Sequence, residues 1–184
     1  MGGKFMNEQV IPAISSHKKL REFLESDLNI GILMNFQLAQ LESIVQRMKE
    51  NNKIVLIHSE LIKGLASDEY GAIYLIQELK VDGIISSKPR VIEMCKKRNV
   101  MGVYRFFIKD TISLDQSIDI GQRLRPDFVE ILPASCYELI DEIKQKLGCQ
   151  VWMGGLINSQ KQIELCFKHG AIAITTSNTD LWHL

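Results

Sequence analysis

The chain has 184 residues, 46% hydrophobic and 24% charged, with 22 basic side chains against 22 acidic ones and a formal net charge of zero. That length suits a single domain with a full core, and charge neutrality excludes a polyanion binder that works by overall charge, so any nucleic-acid contact must be local. No apolar run approaches the ~18 residues of a membrane span and the N-terminus lacks the basic-then-apolar secretory pattern, which reads as a cytoplasmic protein with no membrane partner.

One domain is expected over 1–184, with residues 1–6 as a disordered leader. Short apolar runs then alternate with amphipathic stretches, the α/β signature. Strands are expected at 10–14, 29–35, 53–59, 82–87, 101–107, 128–133, 150–155 and 171–176. Pro12 removes a ladder donor from the first of these, which predicts a strand that begins late or carries a bulge. After the second strand, Leu38, Leu41, Ile44, Val45 and Met48 recur at helical spacing. Ser67-Asp68-Glu69 offers a helix cap after the third strand, and Pro89 a first helical turn after the fourth. Cys136, Ile140, Ile143 and Leu147 mark a helix that Gly148 closes. Asn158-Ser159 begins another, through Ile163, Cys166 and Phe167 to Gly170. An eighth helix is missing or reduced to Asn178–Leu184. Eight such units without a cofactor fingerprint favour closure into a small TIM-like (β/α)8 barrel over a doubly wound open sheet.

The four cysteines, Cys95, Cys136, Cys149 and Cys166, are widely spaced among apolar residues and form no C-x-x-C pair. They read as reduced structural thiols, with neither metal nor cofactor expected.

Polar residues inside barrel strands are expensive unless paired or placed at the open end, so those that occur there are candidates for function. His58, Glu60, Arg105 and Glu130 all fall toward the C-terminal ends of their strands, the face where barrel ligands bind. Arg105 suits a phosphate, and a structural ion pair with Glu130 is its competing role. His58, Glu60, Asp110 and Glu130 are candidates for contacts with ligand hydroxyls. Asp110, Asp68 and Glu69 also read as helix caps.

The last two strands end in Gly154-Gly155 and in Thr176-Ser177-Asn178, residue types that let backbone N–H groups approach an anion. Side by side at the mouth of a barrel, these ends would cradle a phosphate ester. Asn178-Thr179-Asp180-Leu181-Trp182 would form a short helical turn behind them, and packing of Trp182 on the barrel end is the other reading. Five basic residues, Lys88, Arg90, Lys96, Lys97 and Arg98, surround one acid, Glu93. They form either a local RNA surface or a solvated helix face.

Taken in order, Val10-Ile11-Pro12-Ala13, Leu61-Ile62-Lys63-Gly64-Leu65, Ser67-Asp68-Glu69-Tyr70, Asp82-Gly83-Ile84-Ile85-Ser86, Glu130-Ile131-Leu132-Pro133, Gly154-Gly155-Leu156-Ile157 and Thr176-Ser177-Asn178 with Leu181-Trp182 resemble the GlpP family. These are the glycerol-3-phosphate-responsive antiterminators of glycerol operons. The resemblance runs nearly end to end. It implies a TIM-like barrel that binds glycerol 3-phosphate and then stabilises an antiterminator form of a leader mRNA, without turnover. The chain departs from the family pattern at Ser59-Glu60, Lys109-Asp110-Thr111 and Pro133-Ala134-Ser135; Glu60 keeps a carboxylate there but lengthens it.

The leading reading is therefore a ligand-gated RNA-binding regulator, with homo-oligomerisation as a way to concentrate its basic patches. The alternative is a TIM-barrel enzyme acting on a small phosphate ester, with His58 and Glu60 or Glu130 as base and electrophile. Lys63 and Lys88 lie in expected loops, which argues against a Schiff-base aldolase.

Overall fold

A computed structural model describes residues 9–183; the leader expected at 1–6 lies outside them. Eight strands follow one another in chain order around a closed barrel. They are β1 (Gln9–Ile14), β2 (Ile30–Leu33), β3 (Ile54–His58), β4 (Gly83–Ser86), β5 (Met101–Phe107), β6 (Phe128–Leu132), β7 (Gln150–Gly154) and β8 (Ala173–Thr176). Between them run α1 (His17–Glu25), α2 (Leu38–Glu50), α3 (Glu69–Gln77), α4 (Pro89–Lys97), α5 (Thr111–Leu124), α6 (Ile140–Leu147) and α7 (Gln160–Lys168). The place of an eighth helix is taken by a 3-10 turn, Thr179–Leu181. All eight expected strands are present, several trimmed by a residue or two because the ladder stops before the apolar run does.

Two compact units divide the chain, one of Pro12–Val103 and one of Tyr104–Leu184 with the start of the chain to Ile11. The first strand does not begin late as expected from Pro12: β1 starts at Gln9, and it is only its pairing with β2, through Ala13↔Ile32 and Ile14↔Leu33, that lies beyond the proline. In the Pro12–Val103 unit, β2 pairs with β3 from Ile30↔Ile54 to Leu33↔Ile57, and β3 with β4 from Leu56↔Gly83 to His58↔Ile85. The side chain of Asp68 caps α3, accepting from the N–H groups of Tyr70 and Gly71 at 3.0 and 2.9 Å. Pro89 opens α4, where its missing N–H removes no helical bond. The helical stripe read in the sequence is the buried face of α2, with Leu41, Ile44, Val45 and Met48 in the core.

In the other unit, β6 pairs with β7 from Phe128↔Gln150 to Ile131↔Met153, and β7 with β8 from Trp152↔Ala173 to Gly154↔Thr175. α6 closes on left-handed Gly148, and Gly170 is left-handed just past α7. A 3-10 segment, Ala134–Leu139, takes up the start of the expected helix, so α6 proper begins at Ile140. The final turn is pinned by Trp182, 2% exposed, whose indole N–H donates to the Thr176 carbonyl at 3.0 Å. Burying a tryptophan removes about 150–250 Å² from water, roughly 4–6 kcal/mol, which is how a three-residue turn can stand in for a helix.

Candidate anion-binding site

The geometry at the end of the chain begins with the β7–β8 ladder. Because Gly154 is opposite Thr175, the Gly155 turn and the Thr176–Ser177 turn leave adjacent strands at the same level. Gly155 has φ +77° and Leu156 φ +58°, so two successive left-handed residues swing the chain away from β7. The Gly155 carbonyl accepts from Ala134 N–H at 3.1 Å, which ties the turn to the segment after β6. On the β8 side, Asn178 N–H donates to the Thr176 hydroxyl at 3.1 Å, and the Asn178 side-chain oxygen accepts from Asp180 N–H at 3.1 Å. Thr176 is buried, Asn178 half-buried and Ser177 exposed. The N–H after Ser177, one of the backbone donors at this strand end, is thus hydrogen-bonded within its own turn.

Beneath these turns four strands converge on one polar cluster. Glu130, fully buried on β6, receives Arg105 Nε on Oε2 at 2.5 Å and the Thr175 hydroxyl on Oε1 at 2.5 Å. A Cβ at Gly154 would stand 2.8 Å from Glu130 Oε1 and also collide with Thr175 Oγ1. Gly154 is a glycine for that reason, to make room for a carboxylate and a hydroxyl. Arg105 also lies over the Phe107 ring, 5.7 Å from its centroid. Glu130, expected as a hydroxyl contact, has both oxygens engaged. The ion pair weighed against a ligand role for Arg105 is present. Phe107 shares a strand face with Arg105 by the period of two, and Thr175 lies two residues after Ala173 on one face of its strand; neither spacing by itself marks a partner of Arg105 or Glu130.

Asp110 caps α5: its carboxylate accepts from Ser113 N–H at 2.8 Å, while its own N–H donates to Ser113 Oγ at 3.0 Å. Hydrogen bonds from the Ser113 backbone and side chain hold that carboxyl below the usual aspartate range.

The Pro12–Val103 unit carries a second cluster at the ends of β3 and β4. Glu60 Oε1 accepts from both the N–H and the hydroxyl of Ser87, at 2.6 and 2.7 Å, and Oε2 accepts from Ser59 Oγ at 3.0 Å. His58, buried, brings Nδ1 to 3.5 Å from Glu60 Oε2. Burial alone would raise the Glu60 carboxyl, but the Ser87 bonds and the His58 ring outweigh it and leave the group below its ordinary value. Ser87, which no motif or spacing marks, latches the loop into α4. The next residue is held too, since Lys88 N–H donates to the buried Ser86 hydroxyl at 3.1 Å.

All five basic residues of this region are exposed, but α4 divides them. Lys88 and Arg90 stand at its start and Lys96, Lys97 and Arg98 at its end, about 9–15 Å away at 1.5 Å per residue. Arg90 is further engaged by Glu69, 3.8 Å away. Among the described residues no group of His, Cys, Asp and Glu is arranged to hold a metal ion, and no helix is long and apolar enough to cross a membrane. The four cysteines are free thiols; burial pushes Cys149 and Cys166 up to about 11.

A family model described as glycerol-3-phosphate responsive antiterminator matches residues 10–182. The chain belongs to this family. The chain is similar to the solved structure of the glycerol uptake operon antiterminator regulatory protein of Listeria monocytogenes str. 4b F2365, 34% identical, with TM-score 0.94 over 98% of this chain and 97% of that one. A glycerol uptake operon antiterminator-related protein from Thermotoga maritima MSB8 is 25% identical, with TM-score 0.84 over 97% of this chain and 100% of that one. A curated relative, the uncharacterized protein YgcP of Escherichia coli (strain K12), is 25% identical across 95% of this chain and 92% of its own length.

Proposed function

We propose that this antiterminator senses glycerol 3-phosphate and binds the leader mRNA of a glycerol operon, without chemical turnover. The observation that supports the reading is the paired exit of β7 and β8, where Gly154 is opposite Thr175 and the two turns emerge together above Arg105 and its carboxylate. In this reading the phosphate rests on the Gly155 turn and on Thr176 and Ser177, with Arg105 supplying positive charge; Gly154 is taken up by Glu130 and Thr175, and the Asn178 N–H by the Thr176 hydroxyl. Asp110 and Glu130 are already occupied by Ser113 and by Arg105 with Thr175, so the glycerol hydroxyls draw on other partners. In the Pro12–Val103 unit, His58 and Glu60 serve the loop into α4: the Glu60–Ser87 bonds hold Lys88 and Arg90 at the helix start. Those two residues, with Lys96, Lys97 and Arg98 at the helix end, are the proposed contacts for RNA phosphates.

The first test is thermal melting with glycerol 3-phosphate, glycerol and inorganic phosphate in parallel. A ligand at a hundred times its dissociation constant adds ~2.7 kcal/mol, a rise of roughly 5–10 °C for a chain of this length, and only glycerol 3-phosphate should produce it. No shift removes the sensor, and turnover of the ligand returns the case to a phosphate-ester enzyme. The second test is leader-RNA retention over a salt series, with and without ligand. Retention that ignores the ligand makes the gating wrong.

A further inference from the structure

Arg105 is held in a mount whose parts have no assigned role. Its guanidinium donates to Glu130 through Nε, the one donor on the side of the fork, which leaves the four N–H groups of the two Nη atoms for another acceptor. Only 11% of the side chain reaches solvent. Glu130 could pivot about a single bond, but Thr175 takes its other oxygen, so the carboxylate is fixed at both ends. Phe107, 47% exposed, has its ring beside the guanidinium, with Arg105 Cζ 5.7 Å from the ring centroid. Thr175 also sits one residue before the Thr176–Ser177 turn, so the hydroxyl that fixes Glu130 belongs to the strand that carries the proposed phosphate cradle.

We infer that Thr175, acting through Glu130, and Phe107 are positioning residues that hold the Nη edge of Arg105 toward a bound phosphate monoester. The inference rests on the proposed phosphate site and says how that site is preorganised. Nη1 and Nη2 present a fork that matches two phosphate oxygens, and a guanidinium bonded through Nε to a carboxylate that is itself held by Thr175, with Phe107 beside it, loses little freedom on binding. Any movement of the β8 turn is passed through Thr175 and Glu130 to the same guanidinium, so cradle and cation adjust together.

The test is a double-mutant cycle read by calorimetric titration with glycerol 3-phosphate. Thr175→Val keeps the volume and removes the hydroxyl; binding should weaken roughly tenfold, and Thr175→Ser, which restores the donor, should bind within about twofold of the parent. In an Arg105→Lys background the Thr175→Val change should weaken binding no further, because the group it positions has gone. An equal further loss in that background overturns the inference, as does wild-type affinity for Thr175→Val. If Arg105→Lys alone binds like the parent, the phosphate reading fails instead, and the two failures are distinct. Should Thr175→Val not fold, the same cycle run with Phe107→Leu, at a half-exposed position, decides: a several-fold loss confined to the Arg105 background supports positioning, and no loss or an equal loss overturns it.

Discussion

Replacing Gly154 with alanine puts one methyl group against the buried hydrogen bond between Thr175 and Glu130. Gly154 is not one of the left-handed glycines, which are Gly64, Gly148, Gly155 and Gly170, so the change strains packing and leaves the backbone conformation allowed. The new Cβ would lie 2.8 Å from Glu130 Oε1 and against Thr175 Oγ1 as well. Neither neighbour has room to retreat, because Glu130 is fully buried and fastened by Arg105 on its other oxygen. Overpacking typically costs about 1–3 kcal/mol, and forcing the Thr175 hydroxyl off a buried carboxylate about 1.5–3 kcal/mol more. The lower entropy of an unfolded chain with alanine offsets about 0.4–1 kcal/mol. The net expectation is roughly 2–5 kcal/mol, or a fall of about 4–20 °C in the melting temperature of a chain this size. Thermal unfolding by circular dichroism without ligand measures it. Gly148→Ala is the comparison: its Cβ meets nothing within 4 Å but its φ is +67°, so it isolates a left-handed backbone cost of about 1–2 kcal/mol. A Gly154→Ala protein that melts within ~2 °C of the parent would refute the packing argument. A further check is Gly154→Ala with Thr175→Ala: if the hydroxyl is the obstacle, the alanine at 154 should be less damaging in the double variant than the single losses predict.

Breaking the buried pair from one side, with Glu130→Leu, should cost about 3–5 kcal/mol in urea denaturation, and Arg105→Met with Glu130→Leu should recover most of it; a single-variant loss below ~1 kcal/mol would contradict the burial of the pair. The depressed Glu60 carboxyl stabilises the fold above its ordinary value of 4.5, and that contribution is lost as pH falls from there through the lower folded value. Glu60→Gln should therefore be less stable than the parent near neutrality and should lose less stability on acidification below about pH 4.5; identical acid limbs for the two proteins would rule this out. With their thiols pushed up to about 11, Cys149 and Cys166 are thiolate in about one molecule in a thousand at pH 8. Iodoacetamide followed by peptide mass analysis should leave both unmodified in the native protein, and fast labelling of Cys166 would contradict its burial.

The barrel was legible because each βα unit writes its pattern locally. Leu41, Ile44, Val45 and Met48 needed only a period of 3.6, and Asp68, Pro89 and Gly148 marked helix ends by chemistry that works at any position in a fold. α1 was harder to see, since it buries only Leu20 and Phe23, too few to print a stripe. The 14-residue α5 follows a cap, Asp110, that could equally be read as a ligand contact. The candidate site was legible in its residue types and much less so in its bonds. Arg105 and Glu130 announced themselves as charges inside strands. What they do depends on Thr175, 45 residues beyond Glu130, and on the missing side chain of Gly154 between them. No periodicity carries a contact of that separation. A Gly-Gly pair at a strand end suggests close approach by an anion, yet the atoms that approach Gly154 are the protein's own carboxylate and hydroxyl. The basic cluster misled in the opposite way, because five cations within eleven residues look like one patch until a helix sets three of them a helix length from the other two. If RNA engages α4, it must either span that length or choose an end. Lys88→Glu and Lys97→Glu should then differ in their effect on retention whenever one end is chosen, and weaken it alike when the RNA lies along the helix.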